Sequence, residues 1–208
     1  MADRPILFSA PMVRALLAGT KTQTRRILKP QPMPDMALVG LYAPGLTAVF
    51  GYDTPDADFK VRLRSIPGDR LWVRETWQAL SFGDYQPTKC SQSEVRYAAT
   101  DPCAYLDTEA RGYPWRPSIF MPRWASRLTL IVTDVRVERL QDISQADAKA
   151  EGAKKPMMIA DDDPCTYIDG YADLWDSING QGAWEANPWV AAYTFTVHRC
   201  NIDQMAAP

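Results

Sequence analysis

Lys21 and Thr24 stand three residues apart in the run Gly19-Thr20-Lys21-Thr22-Gln23-Thr24-Arg25-Arg26. A threonine hydroxyl is a weak nucleophile until a neighbouring base takes its proton, and a lysine neutralised by desolvation is such a base. A lysine near a threonine hydroxyl is thus a way to make a nucleophile. The flanking elements decide whether the two side chains can meet. Met12, Val13, Leu16 and Leu17 recur at helical spacing through residues 10 to 18, with Ser9 as N-cap, Pro11 in the first turn and Gly19 as the stop. Residues 20 to 28 alternate Thr, Lys, Thr, Gln, Thr, Arg, Arg and read as a strand. In a regular strand, residues an odd number apart face opposite sides. At a helix-to-strand corner the local twist brings them together. The same run also fits an exposed, Thr-rich edge strand with solvated basic residues, and spacing alone leaves that alternative open.

The run resembles the ASCH-domain signature G-x-K-x-x-E-x-R through Gly19, Lys21 and Arg26, with Thr24 standing where many members carry Glu. In that departure it is similar to the bacterial N(4)-acetylcytidine amidohydrolases, whose run is L-A-G-x-K-T-x-T-x-R. Leu17-Ala18-Gly19-Thr20-Lys21-Thr22-Gln23-Thr24-Arg25-Arg26 matches it throughout. Those enzymes are small, and the extra length here falls mainly in residues 29 to 60 and 78 to 122. The chain also resembles phage and prophage ASCH-like proteins of this length. The resemblance implies an α+β fold, a small PUA-like β-barrel with peripheral helices and long insertions, and hydrolysis of an N(4)-acylated cytidine without metal or cofactor.

A third catalytic residue is implied as well: a Glu in the helix that follows the long strand. The segment Ile143-Ser144-Gln145-Ala146-Asp147-Ala148-Lys149-Ala150-Glu151-Gly152 matches that pattern and makes it Glu151. A carboxylate at a helix C-terminus is disfavoured by the dipole, so Glu151 needs another reason to be there, and pairing with Lys21 supplies one. In the implied mechanism Lys21 deprotonates Thr24, Thr24 attacks the acyl carbonyl, and Glu151 holds Lys21. Backbone N–H groups near residues 20 to 24 would serve the oxyanion. Glu75 rivals Glu151, lying on a strand beside Arg74 and Trp77, and is assigned to substrate contact. A planar base needs stacking and edge-reading groups, for which Arg26 and Trp77 are the first candidates. Trp115, Trp124, Trp184 and Trp189 read mainly as core, and Asn187 as a turn residue or a base contact.

The elements that must position these residues are mostly strands. Pro5–Ser9 reads as an entry strand and Leu71–Trp77 as a second, after the turn Ile66-Pro67-Gly68-Asp69. A strand is also expected at 94 to 99, in an otherwise irregular 80 to 122. The alternation of residues 127 to 140 is the clearest strand signal, and Val190–Val197 is the last. Helices are expected at 144 to 152, capped by Ser144 and Gly152, and from Tyr167 to Ile178. Residues 29 to 60, with Pro30, Pro32, Pro34, Pro44 and Pro55, read as a loop or insertion, and Asp161-Asp162-Asp163-Pro164 as a solvated loop capping the next helix. No linker divides the chain, so one domain over 1–208 is expected, a small barrel with peripheral helices.

Composition narrows the partners. Of 208 residues, 46% are hydrophobic, enough for a core, and the net charge is -2. With a pI near 5.5 there is no global basic footprint for long nucleic acid, so a mononucleoside or nucleotide fits better than a duplex, and the resemblance makes the partner a modified pyrimidine nucleoside. The local cluster Lys21, Arg25, Arg26 and Lys29 keeps RNA as a second partner and an RNA-binding module as an alternative. An ASCH-type ribonuclease is a third reading, with His198 the one histidine. Cys90, Cys103, Cys165 and Cys200 form no C-x-x-C pair and read as reduced thiols, not zinc ligands. The absence of a secretory or membrane segment points to a cytoplasmic monomer or small homo-oligomer.

Overall fold

The structure is a computed structural model and describes residues 1–43, 46–52, 58–156 and 165–205. The chain is α+β: among these residues it forms 11 strands in three open sheets, and four α-helices. It packs as two compact units, each made of separated segments. The first comprises Met1–Gly19, Asp69–Ile131 and Thr196–Pro208, and the second Thr20–Gly68 and Val132–Phe195. No Pro- or Gly-rich linker marks these boundaries, because two of them fall inside continuous strands.

In the first unit, β1 (Asp3–Leu7) pairs in parallel with β6 (Arg70–Arg74), Asp3 opposite Arg70 and Leu7 opposite Arg74. The start of β10 (Thr129–Arg139) runs antiparallel to β6, Thr129 opposite Trp72. The helix α1 (Ala10–Leu17) follows β1, with Ser9 at its N-cap and Gly19 at φ +72° just beyond its end. A second sheet joins β7 (Trp77–Leu80) to β8 (Pro87–Thr88) and β9 (Glu94–Tyr97), and α2 (Thr108–Arg111) follows it. The expected strand from Leu71 to Trp77 is therefore two strands. Glu75 and Thr76 break it, and β7 turns away to pair with β9.

In the second unit, β2 (Gln23–Ile27) pairs antiparallel with β11 (Trp189–His198), Thr24 opposite Tyr193. It is an edge strand, at the end of the order β1-β6-β10-β11-β2. Between Leu28 and Gly68 the chain forms the meander β3 (Ala37–Tyr42), β4 (Thr47–Gly51) and β5 (Phe59–Arg62). This corrects the reading of 29 to 60 as loop. Pro30, Pro32 and Pro34 precede the strands, leaving the β-prone Thr47-Ala48-Val49-Phe50 unbroken, with Ala48, Val49 and Phe50 buried. Pro44 and Pro55 lie outside the described residues. Likewise 78 to 122 holds β7, β8 and β9 instead of one lone strand.

The helices of the second unit end where local chemistry directs. In α3 (Gln145–Ala150) the Ser144 hydroxyl accepts from the Asp147 N–H, and Gly152 takes φ +84° just past the end. For α4 (Tyr167–Asn179) the cap is Thr166, in a reciprocal capping box with Asp169. The acidic run at 161 to 163 and Pro164, read as that cap, lie outside the described residues. Tyr171 and Trp175 of α4 pack with Leu140, Ile143, Ala148 and Val190. Asn187 is a turn residue, at φ +40° with its side-chain carbonyl accepting from the Gln141 N–H. Within α4, a Cβ added at Gly170 would collide with the Lys154 carbonyl. Gly170→Ala is expected to destabilise the protein by about 1–3 kcal/mol despite alanine's better helix propensity, read by guanidinium denaturation. A gain in stability would mean the Lys154 segment yields freely.

Candidate active site

The site grows from a helix end that needs partners. The last carbonyls of α3 have no acceptor role left inside the helix, and the connector before β2 fills it. The Thr22 N–H donates to the Ala150 carbonyl at 2.8 Å. The Lys21 ammonium donates to the Glu151 main-chain carbonyl at 2.8 Å and to its carboxylate Oε2 at 2.7 Å. A cation there also complements the negative end of the helix dipole. The Thr22 N–H is thereby committed, and of the backbone donors between 20 and 24 it cannot serve an oxyanion.

Glu151 is 3% exposed and Lys21 0%, so this is a buried ion pair and not the solvated basic edge that the spacing also allowed. The second carboxylate oxygen of Glu151 accepts from Arg25 Nη1 at 3.1 Å. Arg25 is the hub. Its Nε and Nη2 bind one Glu138 oxygen at 2.9 and 2.6 Å, Nη2 reaches Asp147 at 3.3 Å, and Nη1 shares Gln23 Oε1 at 3.2 Å. Gln23 and Arg136 each donate to Asp147 as well. Sequence reasoning placed Arg25 only in a solvated basic cluster and did not single out Gln23, Glu138 or Asp147. The signal was present: Gln23 and Arg25 fall on one face of β2 by strand alternation, and Asp147 sits in the first turn of the helix carrying Glu151. Of that cluster Lys21 and Arg25 are buried among carboxylates, Arg26 is half-buried and Lys29 is exposed.

Protonation follows from burial. Desolvation pulls the Lys21 ammonium below its ordinary value, while the charge and hydrogen bond of Glu151 oppose it. Burial also disfavours the charge of Arg25, but Glu151 and Glu138 outweigh it and hold the group above its usual range. For Arg26, burial lowers the value, with Glu151 opposing. The hydroxyl of Tyr171 is driven well up by burial and by the nearby negative charge of Glu151. The arrangement keeps Arg25 charged beside a lysine biased toward its neutral form.

The sequence-derived residues divide between the two units. Lys21, Glu151, Thr24 and Arg26 belong to the second. There the structure joins Lys21 directly to Glu151. Thr24, 2% exposed on β2, lies on the face opposite Gln23 and Arg25. Lys21 precedes the strand, so alternation does not fix its direction. Arg26 is half-buried, within electrostatic reach of Glu151 and Tyr193.

Glu75 and Trp77 belong to the first unit. Both Glu75 oxygens are held by Arg127, Nε to Oε1 at 2.8 Å and Nη2 to Oε2 at 2.9 Å, and that guanidinium lies 3.9 Å from the Tyr97 ring centre. Burial raises the Glu75 carboxyl against the pull of Arg127. Glu75 is thus a partner of Arg127. Trp77 is buried, edge-on to Trp124. His198 is half-buried, its Nε2 3.2 Å from the Thr196 hydroxyl.

Among the described residues no group of three or more His, Cys, Asp or Glu is placed to hold a metal ion, and no helix is long and apolar enough to cross a membrane. Compared with protein-family models, curated proteins and solved structures, the chain matches none.

Proposed function

We propose that this protein is an ASCH-type amidohydrolase that removes the acyl group from N(4)-acylated cytidine, with Lys21, Thr24 and Glu151 as its centre. The observation that carries the reading is the fully buried Lys21, held 2.7 Å from a buried Glu151 in a pocket that lowers its proton affinity. A lysine in water is a poor base at neutral pH, and burial moves this one toward the neutral form that can act as a base. On the same reading the open sheets are a PUA-like fold without the expected closed barrel, the partner is a modified pyrimidine nucleoside, and Arg26 faces the substrate.

Each step balances. Neutral Lys21 takes the Thr24 hydroxyl proton as that oxygen adds to the acyl carbonyl. The lysine proton passes to the exocyclic nitrogen as the C–N bond breaks, releasing cytidine and leaving an acyl ester on Thr24. Water then attacks the ester, Lys21 accepts its proton and returns it to the threonine oxygen, and the carboxylic acid departs. Glu151 orients Lys21 and stabilises it whenever it is charged.

The active form has Lys21 deprotonated, so the rate rises with pH. Its midpoint lies below the ordinary lysine value of 10.5 because burial disfavours the ammonium. The test is ultraviolet absorbance of N(4)-acetylcytidine incubated with the purified protein across pH. Conversion to cytidine, with kcat/KM climbing through such a midpoint, is expected. A folded sample that converts nothing at any pH overturns the proposal.

A further inference from the structure

The first unit carries a cleft of about 370 Å³ lined by Trp77, Lys89, Arg116, Phe120, Pro122 and Trp124. Its volume falls within the roughly 300–1,000 Å³ of small-molecule sites. Three of the six lining residues are aromatic and two are cationic; none is a carboxylate.

The aromatic part is built and not incidental. Trp77 forms the floor at 1% exposure. The rings of Trp77 and Trp124 meet edge-on, 5.7 Å between centres and 89° between planes. Phe120 is 70% exposed, next to Ile119 at 58%. Phe120, at the end of the 3-10 turn Ser118–Phe120, lines the cleft with an uncovered ring.

The cations are placed with equal definition. Arg116 is tied to β7 by a two-way main-chain bridge to Trp77, at 3.1 and 2.8 Å. Gln78 Oε1 accepts from its Nε at 3.2 Å, and its guanidinium lies 5.7 Å from the Trp77 ring centre. Its terminal nitrogens form no hydrogen bond among the described residues. Lys89 is exposed at the rim, without an ion pair among the described residues. A neutral ring would leave two charges unmatched, and an aliphatic anion would leave the ring faces wet. A ligand satisfying both has a flat heteroaromatic ring and a phosphate, which a guanidinium fork binds well.

We propose that this cleft binds a nucleotide, its base stacked on Trp124 and Phe120 and its phosphate on Arg116 and Lys89. A free mononucleotide and one nucleotide of a single RNA strand share this chemistry. The inference stands apart from the Lys21 centre and survives if that centre proves inert.

Isothermal titration of the full chain with cytidine 5′-monophosphate tests it, with cytidine and inorganic phosphate titrated separately. The monophosphate is expected to bind at least about tenfold more tightly than either part. Phe120→Ala and Lys89→Glu, both at exposed positions, should each weaken it at least about fivefold without moving the thermal midpoint. A cytidine decamer that binds more tightly than the monophosphate, with steep salt dependence, assigns the ligand to RNA; one that binds no better assigns it to the free nucleotide. Absence of monophosphate binding by the wild type, or wild-type affinity in both variants, overturns the proposal.

Discussion

Thr24→Ala is expected to lower kcat/KM for N(4)-acetylcytidine by at least about 10³-fold, because it removes the atom that would carry the acyl group. The fold should lose only about 1 kcal/mol, the usual scale for trimming one side chain, since the substitution touches none of the ion pairs around Arg25. That separation gives the experiment its force. Lys21→Met would also abolish activity on this reading, but it removes a donor from a buried carboxylate and confounds chemistry with stability. Thr24→Ser keeps the hydroxyl and is expected to retain most turnover. Wild-type turnover in Thr24→Ala would remove the nucleophile from the scheme and leave Lys21 and Glu151 as an ion pair that only closes a helix end.

The largest effect on stability is expected at Arg25. Its side chain is fully enclosed and forms ion pairs with Glu138, Asp147 and Glu151. Arg25→Ala leaves Glu138 with only the more distant Arg136 at 4.0 Å and takes one partner each from Glu151 and Asp147, which keep Lys21 and Arg136. Breaking a buried pair by deleting one partner typically costs about 3–5 kcal/mol, since the remaining charge has neither water nor a counter-ion. Guanidinium denaturation reads this directly. Arg25→Lys should recover only part of it, because one ammonium cannot reproduce the fork that reaches Glu138 through Nε and Nη2 and Glu151 through Nη1. A loss under about 1 kcal/mol in Arg25→Ala would mean that Arg136 and Gln23 already suffice to hold the acidic groups.

What the sequence reveals here is what is encoded locally. The Ser144 cap, the glycine stops at 19 and 152 and the alternation of residues 127 to 140 are each decided within a few residues, and each appears in the structure within a residue or two. The break at Glu75 is invisible because it follows from where β7 finds its partner β9, a pairing across loops. The meander between 37 and 62 was masked by prolines, of which Pro30, Pro32 and Pro34 precede its strands. In the site, the contact between Lys21 and Glu151 was anticipated from a resemblance. The role of Arg25 was not, because a basic residue on an edge strand is ordinarily solvated, and only the carboxylates arriving from β10 and α3 make its burial tolerable.

The contact between Lys21 and Glu151 spans 130 residues of sequence, and the strand that pairs with Thr24 comes later still, at Trp189–His198. During synthesis, the lysine and threonine emerge from the ribosome long before either the carboxylate or the pairing strand exists. Nascent chains and prematurely terminated products therefore carry the motif without its buried ion pair, in water, where the lysine keeps its proton. On the proposed function, the chemistry becomes possible only once translation has passed β11.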